Sequence, residues 1–383
     1  MDIKEKRSRK IPAALLLTVS IGCFVLAAFI SPVSAVCTAL AALAGIVSNP
    51  LLLSVLKKSK AKHSGIKCFI VFVILAGLLV WLIPKEIETD RRIREGQPKQ
   101  TQSEKEELQP VAEEGLDIYF LDCGQSDCTV IICDGCAMLF DCASDNMGTK
   151  IRGQLYKLGI RSLDTIIISH FDEDHCGSAD SLITHFLPKT VIYPKQTKDT
   201  AACRDTLDAM RYTLRSVDYP VVGKKYSLGS AEYVILGPSK DSYEDINDSS
   251  VAILLTYGEK RFLFTGDAEA ESEGEILLAA EKTGTDIKNV DVYQVGHHGS
   301  NSSTTEPFLD VIQPRFAVIS CGDGNDYGHP HKVTLEALKT ANTAIYRTDK
   351  QGTVSLHCDG KNITWSTQPT DDYTPGTYKG EQH

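Results

Sequence analysis

The chain has 383 residues, 40 of them basic and 50 acidic, with a formal net charge of −10 and 42% hydrophobic residues. The apolar share excludes a wholly disordered chain, and the acidic balance is poorly suited to long-range capture of nucleic acid. The charge is unevenly spread: residues 1–83 hold ten Lys/Arg and two acids, a net of +8, which leaves 30 basic and 48 acidic residues, a net of −18, for the rest.

Three uncharged apolar stretches lie in the basic part: Ile11–Ile30, Ser34–Leu56 and Cys68–Pro84. The first two are long enough to cross roughly 30 Å of hydrocarbon and the third is at the short end of the range. They predict a membrane region over 1–84 with three transmembrane helices. A cleavable signal peptide is the alternative for the first stretch, and the two stretches behind it argue against that. Lys4, Lys6, Arg7, Arg9 and Lys10 precede the first span, and Lys57, Lys58, Lys60, Lys62 and Lys67 lie between the second and third. The positive-inside rule places both groups in the cytoplasm. The expectation is a multi-pass protein of the cell membrane, with the bilayer as a partner and everything after Pro84 on the extracellular side.

Residues 85–115 read as a polar linker with little to bury, residues 116–366 as a globular domain with one sizeable core, and residues 367–383 as a disordered tail. Within the domain, Asp117–Asp122, Thr129–Asp134 and Ala137–Asp141 predict strands, the last two joined by an Asp134-Gly135 hairpin turn. A helix over Thr149–Leu158, a strand at Thr165–Ser169, a helix at Ser178–His185, a strand at Thr190–Tyr193 and a helix at Ala201–Arg215 follow. A second strand-rich group comprises Lys225–Tyr226, Ala231–Leu236, Ser250–Tyr257 and Arg261–Thr265. The order continues with a helix at Glu271–Glu281, strands at Asp291–Val295 and Phe316–Ser320, a helix at Val333–Ala341, and strands at Ala344–Arg347 and Gly352–His357. Two successive strand-then-helix groups predict two packed sheets with helices outside.

Chemistry concentrates where the apolar run Ile166-Ile167-Ile168 ends in Ser169-His170-Phe171-Asp172-Glu173-Asp174-His175. The cluster of imidazoles and carboxylates is expected at the C-terminal rim of a strand, where α/β folds keep their chemistry. Alternate residues of a short loop point the same way, so His170 and Asp172 are placed to grip one divalent cation and Asp174 and His175 a second. No G-x-S-x-G nucleophile motif is present, and no dinucleotide cofactor is expected.

Taken in order, Leu121-Asp122-Cys123-Gly124-Gln125-Ser126-Asp127, Phe140-Asp141, His170 to His175, Asn247-Asp248-Ser249-Ser250, Thr265-Gly266-Asp267, Gly296-His297-His298-Gly299-Ser300 and Tyr327-Gly328-His329-Pro330 resemble the metallo-β-lactamase-fold domain of ComEC-type DNA-uptake (competence) proteins. The resemblance spans the whole domain and implies an αββα metallo-β-lactamase sandwich with one or two divalent metal ions, zinc or manganese, at its rim. It leaves the substrate open, because that superfamily hosts many hydrolases. The membrane region does not extend the resemblance, since full-length uptake proteins carry a much larger channel domain.

Beside that resemblance, Asp267 ends an apolar strand and is placed to bridge both ions. One of His297 and His298 completes the second site and the other faces substrate, since adjacent strand residues point to opposite faces. Asp141 is expected to orient His170. The chain departs from the familiar pattern where Asp172 stands for a histidine and where Asn247-Asp248 stands for another; Asn247, Asp248 or a water would complete the first site. An oxygen-rich site moves preference from zinc toward manganese. Asp174, His298 and His329 are assigned to catalysis, with His329 as proton donor to the leaving group. Cys133 and Cys136 flank the hairpin turn, free or disulfide-bonded, and Cys176 and Ser178 depart from the family at the helix start beside the metals.

The expected activity is metal-dependent hydrolysis through an activated water, most naturally of a phosphodiester or nucleic acid. A surface metallo-esterase and a non-catalytic accessory or sensor protein are the alternatives. Lys189, Lys195 and Lys198 are the candidate local basic patch.

Overall fold

The computed structural model describes residues 114–213 and 216–378. The three expected spans, most of the linker and residues 379–383 lie outside the described residues. Among those described, no helix is long and apolar enough to cross a membrane.

Strands form here because apolar side chains alternate between two different buried environments. In β1 (Leu116–Phe120), Leu116, Ile118 and Phe120 enter one buried cluster while Tyr119 enters another. In β9 (Ala252–Tyr257), Ile253 and Leu255 enter that same first cluster, and Ala252 and Leu254 enter a third. The shared cluster is the interior between two sheets; the other two lie under helices such as Ala179–Phe186 and Ala270–Thr283. The result is the four-layer αββα sandwich, covered on both faces of each sheet.

The first sheet has eight strands. Beside β1 it contains β2 (Thr129–Cys133), β3 (Cys136–Phe140), β4 (Thr165–Ile167), β5 (Thr190–Ile192), β6 (Ser216–Asp218), β14 (Val354–Cys358) and β15 (Ile363–Trp365), in the order β15-β14-β1-β2-β3-β4-β5-β6. The second has seven, adding β7 (Lys225–Leu228), β8 (Ala231–Gly237), β10 (Lys260–Phe264), β11 (Val292–Gln294), β12 (Phe316–Ile319) and β13 (Ala344–Arg347), in the order β13-β12-β11-β10-β9-β8-β7. Pairing is parallel from β3 through β6 and from β10 through β13. Parallel neighbours end together, so the turns after β3, β4, β10, β11 and β12 share one rim.

Three local expectations are corrected. Residues 173–176 are a helical turn rather than an extended loop, with the His175 and Cys176 amides donating to the Asp172 carbonyl. The short strands β6 and β15 were not anticipated, because their exposed or half-buried residues lack the apolar alternation that marks a strand. As the sequence suggests, Cys133 and Cys136 face each other across the hairpin, and both are free thiols.

The third correction concerns the tail. Residues 367–378 pack on the domain: Thr370 bridges to Ile345, and the Gly376 amide donates to the Pro330 carbonyl at 3.0 Å. Buried Arg347 anchors this segment. Its guanidinium holds Asp349 through two hydrogen bonds of 3.0 and 2.7 Å and donates to the carbonyls of Asp372 and Thr374. A polar composition conceals such docking, because backbone carbonyls supply the contacts. Arg347→Ala leaves buried Asp349 with the longer Lys350 contact, at 3.7 Å, so it is expected to destabilise the domain by about 3 kcal/mol. Chemical denaturation measures this, and a loss below about 1 kcal/mol would contradict the anchoring role.

Candidate metal centre

Asp141 follows β3 in the left-handed conformation, φ 62°. Its carboxylate accepts the Ser169 amide at 2.7 Å, the Ser169 hydroxyl at 2.8 Å and the His175 Nδ1–H at 2.9 Å. Because the Ser169 hydroxyl donates to Asp141, it is left to accept from His170 Nδ1, 3.0 Å away. On the other sheet, His298 Nδ1–H donates to the Ser320 carbonyl at 2.9 Å. Each imidazole is thus held by Nδ1 and presents Nε2, the arrangement by which outer carboxylates and carbonyls orient metal-binding histidines. Asp141 grips His175 directly and reaches His170 only through Ser169, which corrects the expectation that His170 was its partner.

The presented atoms converge on Asp267. Its Oδ2 lies 3.2 Å from His175 Nε2, 3.8 Å from His297 and His298 Nε2, and 4.0 Å from His170 Nε2. Asp174 Oδ2 is 3.3 Å from His298 Nε2. His170, His175, His298 and Asp267 are at most 3% exposed, yet Nε2 of the three histidines and Oδ1 of Asp267 have no hydrogen-bond partner. Leaving such a group unsatisfied costs roughly 1–3 kcal/mol. Ligands of one ion at about 2.1 Å stand about 3.0–3.4 Å apart, close to the spacings found here. The donor set fits a divalent cation.

Electrostatics give the same result. Burial works against a charged His298, but Asp267, Asp127 and Asp174 outweigh it and raise its pKa to about 10. Burial likewise opposes a charged His175, and Asp267, Asp141 and Asp174 raise it well above the usual range. Burial, with neighbouring His175, instead lowers His170 to about 4. Without metal, protons on His175 and His298 supply the positive charge that the carboxylates demand.

The sequence-expected residues separate into three groups. His170, Asp174, His175, Asp267 and His298 come together. His297 stands at the edge, its Nδ1 3.1 Å from both Glu269 Oε1 and Ser302 Oγ. His297 and His298 lie in a left-handed turn, φ 48° and 52°, so strand alternation does not separate them. The remaining three are held by other partners. Asp172 lines the cleft, and its Oδ1 takes the Lys198 ammonium at 2.7 Å. Asp248 Oδ1 accepts from the Glu269 and Ser272 amides and the Ser272 hydroxyl, capping the Ala270–Thr283 helix instead of entering the cluster. Asn247 lines the cleft and donates to Glu269 at 3.3 Å.

The cleft above the cluster is small, about 90 Å³, with room for little beyond a reacting group. Its wall opposite the carboxylates includes Gln125, Tyr327 and His329. His329 precedes the Lys332–Thr340 helix by three residues rather than opening it. Gln125 Oε1 accepts the Gly322 amide, so its Nε2 donates to His329 Nδ1 at 3.1 Å and leaves Nε2–H on the ring. Burial and the His298, His297 and His331 imidazoles push the His329 pKa down to about 3.

Sequence reasoning did not assign Ser169, Gln125, Asp127 or Glu269. Asp127 is buried, accepts Gln294 Nε2 at 2.9 Å and is raised to about 6 by burial. Gln125 and Asp127 both stand in the quoted Leu121–Asp127 motif, which was the available signal.

Gly266 has φ +54°, and a Cβ there would stand 2.5 Å from Ser169 Cβ. Gly266→Ala is therefore expected to cost roughly 1–3 kcal/mol through backbone strain and to weaken metal retention by displacing the serine between Asp141 and His170. Parental melting temperature and metal content in this variant would contradict the packing argument.

The metallo-beta-lactamase superfamily profile matches residues 121–323, and the chain belongs to that superfamily. Among its relatives, ComE operon protein 3 of Bacillus subtilis strain 168 is 32% identical over 211 residues, 55% of this chain and 26% of that protein. Recombination protein 2 of Haemophilus influenzae is 30% identical over 242 residues, 62% of this chain and 28% of the relative. Competence protein ComA of Neisseria gonorrhoeae is 27% identical over 208 residues, 54% and 27% respectively. The chain thus spans little more than a quarter of the length of these curated relatives, and the likeness to ComEC-type competence proteins stands.

Proposed function

We propose that this protein is a membrane-anchored, metal-dependent phosphodiesterase whose catalytic domain faces the outside of the cell. The observation that carries the activity is the convergence of three buried Nε2 atoms and Oδ1 of buried Asp267, none with a hydrogen-bond partner, at a cleft that Gln125, Tyr327 and His329 also line. When bound, a divalent ion supplies Lewis-acid activation of water and neutralises charge on a phosphoryl oxygen. The competence and recombination names of the relatives favour a phosphodiester, nucleic acid included. The anchoring and outward orientation rest on the three apolar stretches and the basic segments flanking them. Protease added to intact cells should then release the domain by cutting within residues 85–115. Survival of the domain while another surface protein is digested would reverse the orientation.

A preference for manganese over zinc requires Asp172 as a ligand. With Asp172 on Lys198, the converging donors are three imidazoles and two carboxylates, a set that suits zinc as well as manganese. The expected basic patch is neutralised in pairs, Lys189 with Asp164, Lys195 with Asp241 and Lys198 with Asp172, so substrate capture relies on the centre itself. His329 is neutral at ordinary pH, and its Nε2–H serves as a hydrogen-bond donor to developing charge instead of as an imidazolium acid. Turnover of phosphodiesters by the purified chain, with Mn²⁺ or Zn²⁺ added and then chelated, tests the reading. One observation favours the non-catalytic alternative: Asp172 and Asp248, which a first metal site would draw on, are engaged elsewhere.

A further inference from the structure

The donors inside the cluster and those at its rim differ in kind, and the difference bears on how many ions the centre holds. Inside, His170, His175, His298 and Asp267 aim buried, unpartnered atoms at one another. At the rim, the two carboxylates that a second ion would need are already engaged. Asp172 caps the helical turn 173–176 with its backbone and gives Oδ1 to Lys198 Nζ at 2.7 Å. Asp248 is consumed by three hydrogen bonds at the start of the Ala270–Thr283 helix. Asn247 Nδ2 and His297 Nδ1 both meet Glu269 Oε1, at 3.3 and 3.1 Å.

We propose that the centre holds one cation, and that the Lys198 ammonium occupies the place of a second by neutralising Asp172. The inference rests on the metal-centre reading above and fixes its stoichiometry. An ammonium is a compact point charge on a flexible stem, so it can balance a rim carboxylate without the fixed coordination a metal demands. A second cation on Asp172 would lie within roughly 5 Å of that ammonium, where their repulsion weakens its binding by roughly tenfold or more. With Asp248 engaged, Asp172 is the rim carboxylate on which a second ion would depend. The Lys198 side chain is 44% exposed, so its removal leaves the core intact.

The test is Mn²⁺ titration of the full chain, followed by elemental analysis and electron paramagnetic resonance. The parent is expected to retain one equivalent with the spectrum of an isolated ion. Lys198→Met is expected to bind a second equivalent roughly tenfold or more tightly than the parent does, with exchange coupling between the ions, and Lys198→Arg to behave as the parent. Two tightly held, coupled equivalents in the parent would overturn the proposal. One equivalent in both parent and Lys198→Met would remove Lys198 from the explanation. No retained metal in any folded form would instead overturn the metal-centre reading, a result distinguishable from either.

Discussion

Replacing Asp267 with Asn is expected to strip the protein of its metal and reduce turnover to near background. The amide fills the same space, so packing survives while the one carboxylate facing four imidazoles loses its charge. The loss of affinity should exceed the roughly 10–100-fold typical of an outer-sphere partner. Asp141→Asn provides that comparison, since Asp141 touches His175 only through Nδ1 and keeps its distance from the converging Nε2 atoms. Elemental analysis of the two variants should rank Asp267→Asn well below Asp141→Asn, and Asp141→Asn below the parent. Equal metal content in Asp267→Asn and the parent would remove Asp267 from the centre.

The second large effect is expected at His329. Its tautomer is set by Gln125, whose amide is itself fixed by the Gly322 amide, and its low pKa keeps the ring neutral. A neutral donor aimed at developing charge contributes roughly 10²–10³-fold to the rate. His329→Ala should therefore slow a nitrophenyl phosphodiester and a nucleotide phosphodiester by a similar factor, about 10²-fold or more. Gln125→Ala, which frees the tautomer but keeps the ring, should fall between variant and parent. A loss confined to poor leaving groups would restore the proton-donor role that the sequence suggested.

The frame of this site was legible because strand ends carry composition. Ile166-Ile167-Ile168 before His170 and Phe262-Leu263-Phe264 before Asp267 are apolar runs that stop at residues of the candidate centre, and both fall at the expected rim. Side-chain direction was less legible. Asp172 looks like a ligand from its spacing, but at the start of the helical turn 173–176 its Oδ1 is taken by Lys198, a residue 26 positions away that sequence spacing does not bring near. His297 and His298 could not be told apart by alternation, since a left-handed turn replaces the strand and a carbonyl after β12 chooses His298. The docked tail was hidden for a related reason: its partner, Arg347, ends a strand and gives no sign in the sequence that it is buried.

The most direct test of the account is whether the full chain hydrolyses a phosphodiester only with metal at this centre. The measurement is steady-state hydrolysis of bis-nitrophenyl phosphate by the purified chain, with elemental analysis confirming the load. The account predicts turnover that appears with Mn²⁺ or Zn²⁺, vanishes on chelation, returns on readdition and is absent in Asp267→Asn. A folded, metal-loaded chain that turns over neither this ester nor a nucleotide phosphodiester would contradict it.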